Sequence, residues 1–154
     1  MLSEGDTLPD VTLTGADGAP IRLAAYRGKP VVVYFYPKAD TPGCTTEAID
    51  FTGLIGDFAA LGVPVIAISK DTPARLGRFA DKHKLAVTLA SDADGAVCEA
   101  FGTWVEKSLY GRTYMGIARA TFLADAKGTI VRVWPKVKVK GHAAEVLEAV
   151  KALR

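Results

Sequence analysis

Residues 36–47 read YPKADTPGCTTE, and a single thiol, Cys44, lies there behind two prolines and a glycine. The only other cysteine, Cys98, is far away in the sequence. A cysteine attacks as its thiolate, and a free thiol has a pKa near ~8.5, so a working cysteine needs positive charge or hydrogen-bond donors close by. Cys44 falls where the first turn of a following helix is expected. Unpaired backbone N–H groups and the positive end of the helix dipole favour a thiolate at such a place. Pro42 and Gly43 let the chain turn tightly in front of the sulfur, and Pro37 stiffens the other end of the loop. Thr41 puts a hydroxyl near the sulfur, either to accept a bond from a helix N–H or to hold a substrate oxygen. The TPGC segment also has the form of a Cys-x-x-Cys motif with threonine in the first place. A dithiol exchanger needs that second thiol to complete its cycle. The chemistry that suits this sulfur is one nucleophilic attack that leaves it oxidised, as on a peroxide O–O bond to give a sulfenic acid. The competing reading is a small buried hydrophobe. The Pro–Gly loop and the helix start weigh against it.

The elements around the loop must hold it. KPVVVYFYP is a short continuous apolar run, the pattern of a strand covered on both faces and so central in a sheet. After the loop, Ala48, Phe51, Leu54, Ile55, Phe58 and Leu61 recur at helical spacing. They predict one helix from Cys44, closed by Gly62. VPVIAISKD is a second buried-type strand. Thr72 as N-cap and Pro73 at the first helical position open a helix over TPARLGRFADKHKL. VTLASD is a short strand, ADGAVCEAFG a short helix, and ARATFLAD with TIVRVWP a late hairpin. HAAEVLEAVKALR is a terminal amphipathic helix. Upstream, VTLTGADGAPIRLAAYRGK predicts an N-terminal β-hairpin. Strands alternating with helices predict a single α/β domain over residues 1–154, with helices on both faces of a mixed sheet. A thioredoxin-like fold fits this order, and in such sheets chemistry gathers where a central strand runs out into a helix.

Composition bounds the function. The 154 residues are 49% hydrophobic and 23% charged, ordinary values for a globular chain. A net charge of +2 is too mild for a nucleic-acid binder. Only Lys136, Lys138 and Lys140 cluster, in the alternation of a wet strand face or extended arm. MLSEGDTLPD carries no apolar run of the secretory type, and no stretch approaches the ~18–20 apolar residues of a membrane span. A cytoplasmic protein with reduced thiols is expected. His83 and His142 are isolated, a helix-end charge and a helix-start residue, and no Cys/His spacing suits zinc.

The run Pro37, Thr41, Cys44 has the form Pro-x-x-x-Thr-x-x-Cys and resembles the active-site signature of peroxiredoxins. The surrounding YFYPKADTPGCTTEA is similar to the peroxiredoxin Q, or bacterioferritin comigratory protein, branch. The likeness extends from GDTLPD through ARATFLADAKGTIVRVW to KVKVKGHAAEVL. It implies that Cys44 is the peroxidatic nucleophile, that Thr41 bonds the peroxide, that Pro37 shields the thiolate from water, and that Arg119 matches the family's active-site arginine. Without the resemblance, Arg119 reads as a surface charge at a strand start. Beside the sulfur, a guanidinium would lower the thiol pKa and steady charge on the peroxide oxygens. Glu47, one turn after Cys44, either orients Arg119 through a salt bridge or is an exposed first-turn acid favoured by the helix dipole.

The sequence departs from the branch at the resolving cysteine. Ile49 stands five residues after Cys44, where many members carry one, and the other usual place, near Ala80, has none. Cys98 is expected to pack in a stripe with Val97 and Phe101. The alternative is that it resolves Cys44 in an intramolecular disulfide, which requires Cα atoms within ~7 Å and local unwinding. Trp104 and Tyr110 are expected to line the pocket or pack the sheet edge, and Trp134 to pack on the late hairpin. The expected activity is reduction of hydrogen peroxide and organic hydroperoxides by a one-cysteine route. The reductant is an external thiol such as thioredoxin, glutaredoxin or glutathione. No metal, haem or flavin is implied, and no nucleic acid or membrane partner. The branch points to a monomer. Rival readings are a thiol–disulfide exchange enzyme and a redox sensor.

Overall fold

A computed structural model describes residues 1–153. In chain order, β1 (Thr12–Gly15) and β2 (Pro20–Arg22) precede a 3-10 turn at Leu23–Tyr26. β3 (Val31–Phe35) leads into α1 (Pro42–Gly53) and α2 (Ile55–Ala60). β4 (Val65–Ser69), α3 (Pro73–His83), β5 (Thr88–Ser91) and α4 (Ala96–Phe101) follow. Then come β6 (Trp104–Leu109), β7 (Arg112–Ile117), β8 (Ala120–Ala124), β9 (Ile130–Trp134) and α5 (His142–Lys151). Seven strands form one sheet in the order β2-β1-β5-β4-β3-β8-β9. Its middle, β3 with β4 and β4 with β5, is parallel. The outer pairings are antiparallel, so the sheet is mixed, as predicted. The N-terminal pair is a true hairpin, and β1 continues onto β5 to join the main sheet.

Every residue of β3, β4 and β8 is buried, which is why these segments read as unbroken apolar runs. Successive side chains of a strand point to opposite faces. Val32 and Tyr34 therefore face one core with Cys44, Phe51, Phe58 and Leu76. Val31, Val33 and Phe35 face another with Val97, Cys98 and Phe101. Helices α1, α2, α3 and α5 cover the first face, and α4 with the 3-10 turn covers the second. Tyr34 stacks on Phe51, with ring centroids 4.7 Å apart and planes at 12°, which seats α1 on the central strand.

The predicted single helix after Cys44 is two. Leu54 leaves helical geometry at φ −106, ψ 4, and α2 starts again at Ile55. Gly53 and Gly56 flank the break and weaken the helix there. Phe51 and Phe58 still enter the same core, so apolar spacing carries straight across it. α3 begins as predicted: the Thr72 side chain accepts from Arg75 N at 3.3 Å, and Pro73 opens the helix.

The ribbon β6–β7 was not foreseen. It stands outside the main sheet as a two-stranded pair, with Leu109, Tyr110, Tyr114 and Met115 exposed. Tyr110 is 95% exposed in its turn, so it neither lines a pocket nor packs a sheet edge. Trp104 lies at the ribbon's root beneath Lys70 Nζ, 4.0 Å from the ring centroid. Trp134 packs between its own hairpin, where Arg132 Cζ lies 4.6 Å from its ring centroid, and the terminal helix. Its ring meets His142 edge-on at 5.6 Å, and Nε1 donates to Glu145 at 3.2 Å. The lysines at 136, 138 and 140 are exposed on a connection of bends and a turn between β9 and α5, not on a strand, with the intervening valines half-buried. No helix among the described residues is long and apolar enough to cross a membrane.

Candidate active site

The site forms where β3 ends and α1 begins. Tyr36 still pairs with β4, its N–H donating to Ile68 O at 3.1 Å, before Pro37 turns the chain away. The loop that follows is held at both backbone poles of Ala39. Its N–H donates to Asp71 Oδ2 at 2.7 Å, and its carbonyl accepts from Arg75 Nη2 at 3.3 Å. Asp71 and Arg75 pair at 3.0 Å, and Ser69 Oγ donates to Asp71 Oδ2 at 2.8 Å. Next to it, Asp40 sits in the left-handed region at φ 62. Its two oxygens bond Lys82 Nζ and His83 Nε2, each at 2.9 Å. These partners pull the Asp40 carboxyl below its usual range, His83 first and then Lys82. Helix α3 thus clamps the loop that presents Cys44. His83, expected as a helix-end charge, is part of that clamp. None of these partners is near in sequence, so no local signal announces them.

Thr41 is the N-cap residue of α1, with extended backbone at φ −95, ψ 156, but its side chain does not cap the helix. Its hydroxyl donates to Lys38 O at 2.7 Å instead. Committing the hydroxyl hydrogen leaves the oxygen's lone pairs to accept from an incoming O–H. The hydroxyl does not accept a bond from a helix N–H.

Cys44 lies in the first turn of α1 and is 2% exposed. Arg119, just before β8, reaches it from the strand that neighbours β3. Its Nη2 lies 3.4 Å from Sγ, and its Nη1 lies 2.7 Å from Glu47 Oε1. Glu47 is 1% exposed, so its carboxylate is a buried partner of Arg119 and not a surface acid. Cys44 and Glu47 share one face of α1, so a single planar fork serves both. Burial works against the guanidinium charge, but Cys44 and Glu47 outweigh it and hold Arg119 above its ordinary value. Burial lifts the Glu47 carboxyl to about 7, with Arg119 pulling the other way. The Arg119 carbonyl accepts from Val137 N at 2.9 Å, so the lysine arm fixes the backbone behind the guanidinium. Gly43 makes the approach possible, since a Cβ there would stand 3.2 Å from Arg119 Nη2. Pro37 is half-buried at the loop's entrance.

Cys98 is elsewhere. It is fully buried in the second core, on the opposite face of the sheet from Cys44. Its N–H donates to Asp92 Oδ2 at 2.7 Å, and burial, then Asp92, push its thiol up to about 12. Ile49 is exposed on α1 and Ala80 half-buried on α3.

This arrangement can stabilise a thiolate and receive a two-oxygen ligand. The guanidinium faces the sulfur, and the Thr41 oxygen offers an acceptor at the mouth of the helix. Charge that develops on a departing oxygen would meet the same guanidinium.

Comparison with known proteins gives a consistent result. A model of the AhpC/TSA family matches residues 5–133. Peroxiredoxin Bcp of Bacillus subtilis is 45% identical over 147 residues, covering 96% of this chain and 94% of its own. Peroxiredoxin Bcp of Escherichia coli is 45% identical over 150 residues, with coverages of 97% and 96%. The structure of Xanthomonas campestris bacterioferritin comigratory protein, studied for its alkyl peroxide reduction activity, matches with a TM-score of 0.91. It is 41% identical, over 97% of this chain and 98% of that one. Xylella fastidiosa PrxQ matches with a TM-score of 0.94 at 36% identity, over 99% and 97% of the two chains.

Proposed function

Because the chain belongs to the AhpC/TSA family, in its Bcp/peroxiredoxin Q branch, we propose that Cys44 is the sulfur with which it attacks peroxides. The protein is a thiol-dependent peroxidase with a thioredoxin-like fold. The observation that carries the role of Cys44 is the divided guanidinium of Arg119, one nitrogen on Sγ and the other on Glu47.

The Cys44 thiolate attacks the nearer oxygen of a hydroperoxide. An S–O bond forms as the O–O bond breaks, sulfur is oxidised, and the outer oxygen leaves with the electron pair and takes a proton to become water or an alcohol. Arg119 steadies the sulfur before attack and the departing oxygen during it. Thr41 accepts the peroxide's hydrogen and turns the O–O bond toward the sulfur. Pro37 keeps bulk water off the thiolate, and Gly43 and Glu47 hold Arg119 in place. Substrates are hydrogen peroxide and organic hydroperoxides.

The resulting sulfenic acid is reduced from outside. Neither Ile49 nor Ala80 offers a thiol, and the sheet stands between Cys44 and Cys98. One external thiol displaces the sulfenic oxygen as water and forms a mixed disulfide. A second releases Cys44 and leaves as a disulfide. Thioredoxin, glutaredoxin and glutathione all supply this chemistry. We take the chain to act as one cytoplasmic domain and as a monomer.

Intact mass after one equivalent of hydrogen peroxide tests the reading. A gain of one oxygen, abolished in Cys44→Ser, is expected. A loss of two hydrogens within the monomer would instead reveal a Cys44–Cys98 disulfide and overturn the one-cysteine route.

A further inference from the structure

Asp92 follows β5 and is 3% exposed, a buried carboxylate that the peroxide chemistry leaves unused. No cation pairs with it among the described residues. Its two oxygens instead accept backbone N–H groups of α4. Oδ1 takes Val97 N at 3.0 Å and Oδ2 takes Cys98 N at 2.7 Å. A carboxylate withdrawn from water destabilises a fold unless such bonds replace its hydration. With six residues, α4 is well below the roughly 12–15 at which a helix begins to hold itself. What binds its start therefore decides where it sits.

The far end of α4 carries the segment that leads to Arg119. Cys98 O accepts from Thr103 N at 2.9 Å and from Thr103 Oγ1 at 3.2 Å, and Thr103 is fully buried. Thr103 O in turn accepts from Ala118 N at 2.7 Å. Ala118 and Arg119 lie after β7 and before β8, outside both strands, so their backbone depends on such bonds. At the other end, Asp92 N donates to Ser69 O at 2.8 Å. Ser69 Oγ also holds Asp71, whose Oδ2 takes the Ala39 N–H in the loop before Cys44. Arg119 and the Cys44 loop are thus both referred to the end of β4, one through Asp92 and the other through Asp71. Arg119 Nη2 stands 3.4 Å from Sγ at the tip of a long side chain, where a small tilt of the backbone is amplified.

We propose that Asp92 is a positioning residue of the reaction: through α4 and Thr103 it sets the backbone from which Arg119 reaches Cys44. Asp92 touches neither the sulfur nor the peroxide. The proposal rests on Cys44 as the attacking sulfur.

The test measures the second-order rate of oxidation by hydrogen peroxide across pH, by rapid quench and mass spectrometry of the oxygen adduct. Asp92→Asn keeps one acceptor oxygen and turns an amide N–H toward the donors of α4. It should slow oxidation roughly tenfold and shift the pH profile to higher pH, since a thiol that has lost its guanidinium ionises less readily. Thr103→Val keeps the buried shape, loses only the hydroxyl, and should slow oxidation roughly threefold in the same sense. It decides the matter should Asp92→Asn fail to fold. In an Arg119→Ala background either change should cost less than about twofold and leave the profile in place, because the residue it acts through is gone. A wild-type rate and profile in the folded variants overturns the proposal. So does an undiminished loss in the Arg119→Ala background, which marks general loosening. Oxidation that survives in Cys44→Ser overturns the assignment of the sulfur, and the proposal falls with it.

Discussion

Gly43 stands so close to Arg119 that a methyl group would touch the guanidinium, at 3.2 Å from Nη2. The glycine is not there for its backbone, which is helical and needs no positive φ. It is there for space. Gly43→Ala should therefore separate stability from activity. Alanine favours the helix by about 0.5–1 kcal/mol, while displacement of Nη2 weakens a charge-assisted contact to Cys44. The expected result is an unchanged or raised melting temperature with roughly tenfold slower oxidation by hydrogen peroxide. Full activity in the variant would show that the contact is dispensable.

The clamp on Ala39 makes Asp71 a positioning residue. Asp71→Ala leaves the N–H of the buried Ala39 without its acceptor, at a cost of about 1–3 kcal/mol, and frees the segment before Thr41. Peroxide reactivity should fall about tenfold, and the Ala39 amide should exchange with solvent faster than the amides of β4. Restored protection and rate in Asp71→Glu would separate this role from general loss of structure.

Glu47 holds its proton more tightly in the folded chain than in the unfolded one. Burial raises its carboxyl from 4.5 to about 7 against the pull of Arg119. The stability this provides is present below 4.5 and is lost as pH rises toward 7. Urea midpoints of the wild type and Glu47→Gln should diverge across that range, the wild type losing on the order of 3 kcal/mol relative to the variant. Parallel curves would remove Glu47 from the titration.

His142 should act in the opposite sense. It is buried, paired with Thr121 Oγ1 at 2.8 Å, and its imidazole is lowered from 6.5 to about 4 by burial, with Glu145 opposing. The folded chain binds fewer protons here, so stability is present above 6.5 and lost as pH falls toward 4. His142→Gln should flatten that acid limb of the urea midpoint. An unchanged limb would place the sensitivity elsewhere.

These residues also mark how far the sequence could be read. β3, the cap and proline of α3, and Cys44 in a helix's first turn are local features, and each stood in the pattern of neighbouring residues. The pairing of Glu47 with Arg119 spans the fold, and the resemblance to peroxiredoxins was needed to bring Arg119 into the site. The break at Leu54 was hidden because Phe51 and Phe58 keep helical spacing into one core. The ribbon β6–β7 was hidden because it buries little, and an exposed pair of strands writes no apolar face into the chain. Asp71, Arg75 and Lys82 left no mark near Cys44, since they reach it only through the packing of α3.

The sheet that divides the two cores also divides the two thiols. Among the described residues the face that holds Cys44 has no second thiol, and on the other face Cys98 is locked under Asp92. On the one-cysteine route proposed above, oxidised Cys44 would wait for a molecule from solution, and a further peroxide would compete with that thiol for the same sulfur. The fraction of enzyme still active would then record the ratio of peroxide to thiol around it, and the central sheet would be the partition that turns a scavenger into a gauge.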